Sequence, residues 1–157
     1  MIQQSLLTRI SAEHLRVSLD TWHWLVPIDY RPLYSTIFGD MFLCSPDGAV
    51  FFLNTLDGVL IDAADDEANL IEQMENEALR DEVLMPALVQ GIADLLGQAL
   101  PGYCYSAIIP PSVGGVLEPS NFHILSLDEH LSALGKIQQQ VSGDPPGTQY
   151  YPVLDES

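Results

Sequence analysis

Positive charge is what this chain is short of. Five Lys and Arg face 22 Asp and Glu, for a formal net charge of −17. A surface of that sign repels phosphate backbones and anionic lipid headgroups, so neither nucleic acid nor a membrane is expected as a partner. Cysteine is nearly absent. Cys44 and Cys104 lie far apart without CxxC spacing, and they read as small buried hydrophobes on strands. No apolar run approaches the roughly 20 residues that span a bilayer. The opening MIQQSLLTRISAEHLRVSLD lacks the basic-then-apolar order of a secretory signal, so a cytoplasmic chain is expected.

Catalytic templates are also missing. His14, His23, His123 and His130 supply no HExxH motif and no pair four apart on one helix, the arrangement a zinc hydrolase needs. Cys104 has no helix N-terminus or basic neighbour to lower its pKa, which argues against a Cys104–His130 nucleophile. Gly114-Gly115 is not followed by Lys and Ser or Thr, and no GxGxxG occurs, so no phosphate loop is indicated. Asp57, Asp62, Asp65 and Asp66 are hard oxygen donors, but the EF-hand spacing and its closing Glu are absent. Carboxylates are so plentiful that a glycosidase-type pair carries no information. The expectation is a non-enzyme without catalytic, metal-binding or cofactor-binding residues.

What is present is ample apolar material. At 157 residues and 47% hydrophobic, the chain suits one domain with a sizeable core. Ser5 to Leu19 is loosely helical in pattern, Trp22 to Pro27 is a bulky apolar knot, and Arg31-Pro32-Leu33 reads as a turn or short helical piece. From Met41 to Ile61, three β-rich runs separated by Asp47-Gly48 and Asp57-Gly58 predict an antiparallel meander. Asp65-Asp66-Glu67 caps a helix whose apolar face is Ala68, Leu70, Ile71 and Met74. A second helical pattern runs from about Leu79 to Leu96, and Pro86 within it starts a new helix. Tyr103–Ile109 and Phe122–Leu125 read as strands that extend the meander. Ser126 with Glu129 forms a capping box for a helix to about Val141, with Leu131, Leu134 and Ile137 inward. Thr148 to Leu154 reads as an edge strand or tail. The fold class is α+β: an antiparallel β-sheet (meander plus two further strands) packed by helices. The organisation is one domain over 1–157, with an N-terminal helical segment at 1–21 and a tail at 149–157.

The charge is not spread evenly. Ten of the 22 acids fall between Asp57 and Glu82, opposed only by Arg80. Capping and solvation account for some of them. The excess predicts a surface for a cationic protein, with Asp57, Asp62, Asp65, Asp66, Glu67, Glu72 and Glu75 as the contact residues.

Trp24-Leu25-Val26-Pro27, Arg31-Pro32-Leu33, Thr36 and Phe38-Gly39-Asp40 carry a further pattern. It continues in Asp47-Gly48, Leu53-Asn54-Thr55 and Gly58, then in Gly102-Tyr103-Cys104-Tyr105, Pro110-Pro111, Gly114-Gly115, Asn121, His130, Ser132, Gly135 and Pro146-Gly147-Thr148. In that order these residues resemble the C-terminal domain of type VI secretion immunity proteins, a domain that often follows a GAD-like domain, over about residues 22–148. The chain departs from the family pattern at Asn54 and Lys136. The resemblance implies an α+β fold akin to the SMI1/KNR4-like immunity type. It also implies a bacterial cytosolic antidote that binds a cognate effector, a DNase in characterised cases. Two other readings stay open at the level of sequence. One is a small hydrolase or ligand-binding protein with a cleft near the Pro110 to Gly115 loop; the other is a non-catalytic scaffold subunit.

Overall fold

A computed structural model describes residues 6–10, 19–145 and 147–150. Its centre is a five-stranded antiparallel sheet in the order β1-β2-β3-β4-β5, formed by Leu7–Arg9, Arg31–Thr36, Met41–Cys44, Val50–Asn54 and Val59–Ala64. The two predicted Asp-Gly turns join β3 to β4 and β4 to β5. Gly48 and Gly58 both take positive φ, which a glycine adopts without the steric cost of a Cβ. Every residue of β3 is buried, because this strand lies in the middle of the sheet with a core on each face.

The α+β class holds, but the strands that enlarge the meander are not the expected ones. Arg31-Pro32-Leu33 begins β2 and is not a turn: Pro32 pairs with Leu43, and the register shifts between Pro32 and Tyr34. That irregularity accommodates a residue without an N–H, which a regular central strand would not. Leu7–Arg9, inside the segment read as helical, forms β1 against Tyr34–Thr36. Positions 11–18 of that segment lie outside the described residues, as do 151–154 of the expected tail strand. Tyr103–Ala107 (β6) and Phe122–Ser126 (β7) pair with each other in a separate two-stranded sheet. They do not extend the meander, although the Tyr105 N–H donates to the Ile37 carbonyl and joins the two layers.

Four helices follow. α1 (Glu67–Glu75) begins at Asp66, whose carboxylate accepts from the Asn69 N–H at 2.7 Å. α2 (Glu77–Leu84) is capped by Asn76. Met85 takes a left-handed conformation, and α3 (Pro86–Leu96) restarts with Pro86 in its first turn, where the missing N–H costs nothing. α4 (Leu127–Ser142) begins at the predicted box, with the Glu129 N–H donating to Ser126 Oγ at 3.1 Å. Two inward assignments change. Ile71 is 47% exposed and Ile137 is 36% exposed. On α4, Gln138 turns inward one position on from Ile137, because its amide satisfies buried carbonyls of the β4–β5 turn.

The sheet separates two cores. On one face Phe42, Cys44, Val50 and Leu33 meet Leu70 of α1, with Met74 and Val83 against them. On the other, Met41, Leu43, Leu53 and Phe38 pack with Trp22, Val89, Ile92, Tyr105, Phe122, Leu131 and Leu134. Each such side chain fully withdrawn from water contributes about 1.5–3 kcal/mol before its ordering entropy is subtracted. Cys44 and Cys104 are buried on β3 and β6 as expected, and both are free thiols.

Candidate functional site

Two polar regions stand out. The first is a buried chain of hydrogen bonds between the sheet and α4. The His130 ring, fully buried, lies 2.8 Å through Nε2 from Thr55 Oγ1 and 2.8 Å through Nδ1 from Ser106 Oγ. Thr55 donates to Asp40 Oδ1 twice, from its hydroxyl at 2.6 Å and from its backbone N–H at 2.8 Å. Since the Thr55 hydroxyl proton goes to the carboxylate, its oxygen must accept from His130 Nε2–H. Nδ1 is then bare and accepts from Ser106. All donors therefore run toward Asp40, the one acid of the group.

Burial tunes the two titratable members of this chain. Asp40 is raised to about 7, chiefly by loss of solvation and opposed by its Thr55 hydrogen bonds. His130 is lowered to about 3, again chiefly by desolvation, with His123 adding to it. Gly39 closes over the imidazole so tightly that a Cβ there would overlap the ring, and its φ is +79°. Nearby, Gln138 Nε2 donates to the carbonyls of Thr55 and Leu56 at 3.1 and 2.8 Å. Ser106 is 2% exposed and His130 not at all, so a serine–histidine pair here is out of a substrate's reach. The arrangement instead ties the β2–β3 turn, the β4–β5 turn, β6 and α4 together.

From the sequence alone, His130 is a packing or surface residue, and Asp40, Thr55 and Ser106 have no joint role. The only hint is that Gly39, Asp40, Thr55 and His130 all belong to the pattern that carries the family resemblance. The Pro110 to Gly115 loop, the other candidate for chemistry, is stapled by Asn121. Its side-chain amide donates to the carbonyls of Ile109 and Val116, both at 2.9 Å, and accepts from the Ile109 N–H.

The second region is the acidic surface. Asp57 lies in the β4–β5 turn, and Asp62 lies near the far end of β5, about 16 Å along an extended strand. Asp65 and Asp66 lead into α1, and Glu67, Glu72 and Glu75 are on it. All seven are exposed except Glu67, which is half-buried. They are not equally available. Glu67 Oε1 accepts from Arg9 at 3.1 Å and from the Tyr34 hydroxyl at 3.2 Å, so one of the scarce cations already neutralises it. Asp66 is occupied by capping, and Asp57 accepts from Asn54 Nδ2 at 3.0 Å. Asp62, Glu72 and Glu75 accept no side-chain hydrogen bond among the described residues. Asp62 and Asp65 border a shallow 370 Å³ hollow with Ala49, Val50, Asn69 and Gln73. Among the described residues, no three His, Cys, Asp or Glu side chains converge to hold a metal ion, and no helix is long and apolar enough to cross a membrane.

Comparison with known proteins places this architecture. No curated protein matches the chain. A solved structure, the crystal structure of Atu4351 from Agrobacterium tumefaciens, superposes with a TM-score of 0.65 at 19% identity, covering 85% of this chain and 68% of that one. That likeness shows a shared fold. Residues 64–138, from the end of β5 into α4, match the family described as T6SS immunity protein Tdi1, C-terminal, the same kind of domain that the sequence pattern resembles.

Proposed function

We propose that this protein is an immunity protein that binds and neutralises a cognate type VI secretion effector in the cytoplasm of the producing cell, without catalysis of its own. The match of residues 64–138 to the immunity family carries the reading. The contact surface is the acidic run from the β4–β5 turn to the end of α1: Asp57, Asp62, Asp65, Asp66, Glu67, Glu72 and Glu75. Within it, Asp62, Asp65, Glu72 and Glu75 contribute most, because Glu67 and Asp66 already serve the fold. The effector is a nuclease. Enzymes that cleave DNA hold its backbone in a basic groove, and a chain with a net charge of −17 complements such a groove in sign. Close charge pairs across an antidote–nuclease interface can be strongly coupled, as they are between barnase and barstar.

The test is co-expression with the product of a neighbouring reading frame that kills a host when expressed alone. Growth should be restored, and the purified chain should stop the effector from degrading plasmid DNA. Continued killing at matched expression would remove the immunity reading. Rescue from an effector that leaves DNA intact would remove the nuclease.

A further inference from the structure

β5 is the last strand of the large sheet, so one of its sides pairs with β4 and the other faces outward. Among the described residues, no backbone hydrogen bond beyond that ladder involves positions 59–64. The outer side is closed at one end only. A register shift opposite Val50 and Phe51 bulges the strand, and Gln73 Nε2 donates to the Ala63 carbonyl at 3.0 Å. Among the described residues, nothing pairs with the outer side from Val59 to Asp62. An open edge with apolar side chains invites pairing with another chain, and proteins ordinarily cover or blunt it. Here Val59 and Ile61 are 43% and 49% exposed.

The feature that guards this edge is charge. A second copy of the chain would bring Asp57 and Asp62 against like charges, under a mutual repulsion of two bodies at −17 each. That barrier does not act on a basic strand. The two faces of β5 also differ: Val59 and Ile61 point one way, and Asp62 the other. We propose that β5 accepts an extended segment of the effector as a sixth strand, in which apolar residues over Val59 and Ile61 alternate with Lys or Arg toward Asp62. This rests on the immunity reading and names the surface and manner of binding within it. Main-chain pairing would supply affinity, and the alternating side chains would supply selectivity.

Hydrogen exchange on the full chain, free and in complex with the effector identified by the co-expression test, tests the proposal. Outward amides within 59–62 should exchange at least tenfold more slowly in the complex, while the amides of α3 stay unchanged. Ile61→Lys should weaken binding at least tenfold. Leu95→Lys, at a 60% exposed site on α3, should change it less than twofold. A complex that forms without protection at β5, or an Ile61→Lys variant that binds like the parent, overturns strand addition and leaves the immunity reading standing. The same amides protected in the concentrated free chain would assign the edge to a second copy and also overturn it. If no complex forms with a verified effector, both readings fall.

Discussion

The buried chain from Ser106 to Asp40 and the acidic surface from Asp57 to Glu75 are both polar, yet they obey opposite rules. In the first, each side chain has a designated partner within 2.6–2.8 Å, and all four are buried. Removing one member strands another in a low-dielectric interior, where an unmet polar group is expensive. In the second, most carboxylates face water, where a lost charge is replaced by solvent and salt. The inner region therefore governs whether the fold exists. The outer region governs what approaches it and how fast. Among the residues that carry the family resemblance, Gly39, Asp40, Thr55 and His130 belong to this buried scaffold, and that part of the pattern speaks to the fold more directly than to the identity of the partner.

Mutations should separate the two regions in order of size. Gly39→Ala should cost the most, about 4 kcal/mol or the folded state itself, because it sets a Cβ into the His130 ring at a left-handed backbone position. Urea unfolding would measure it, and a loss under 1 kcal/mol would show that the ring can move aside. Thr55→Val keeps shape but removes the hydroxyl that donates to Asp40 and accepts from His130. It should cost about 3 kcal/mol by the same measurement.

Next comes pH. Asp40 is raised to about 7, so its protonation favours the native state: that stabilisation is full below about pH 4 and is lost as pH rises through 7. His130 is lowered to about 3, so its contribution is full above about pH 6.5 and is lost as pH falls toward 3. Between about 4 and 6.5 the two trends oppose. Asp40→Asn removes the first and leaves the second exposed. Relative to the parent, the variant should lose ground by up to about 1.4 kcal/mol for each pH unit from 7 down to 4. Parallel stability–pH curves would show that Asp40 does not titrate in this window.

The smallest effect on the fold belongs to Asp62→Lys with Asp65→Lys. The thermal midpoint should stay within about 2 °C. Association with the effector should slow roughly tenfold at low salt, with the difference shrinking as salt screens it. Stopped-flow association at two ionic strengths would read this, and an unchanged on-rate would move the binding face elsewhere.

Much of this fold can be read from short stretches of chain. The Asp-Gly turns of the meander, the restart at Pro86 and the box at Ser126 each depend on a few adjacent residues and a fixed backbone preference. Local signal misleads where distant pairing overrides it. Pro32 reads as a turn until its partner Leu43 and the neighbouring bulge are known. Tyr103–Ala107 and Phe122–Ser126 are legible as strands, but nothing local says that they form a ladder with each other and not with the meander. On α4 the helical period leaves Ile137 and Gln138 as competing inward positions. The choice falls to carbonyls of Thr55 and Leu56, more than 80 residues away.

The same division holds for the candidate surface. Its sign and its concentration between Asp57 and Glu82 are properties of the bare sequence, since charge needs no fold to be counted. Which acids remain for a partner was decided only by folding, when β1 brought Arg9 to Glu67 and Asp66 became a cap. That β5 ends the sheet among the described residues is likewise a tertiary fact. A strand's pattern says that it will pair, but the neighbours it ends up without depend on where the rest of the chain has gone.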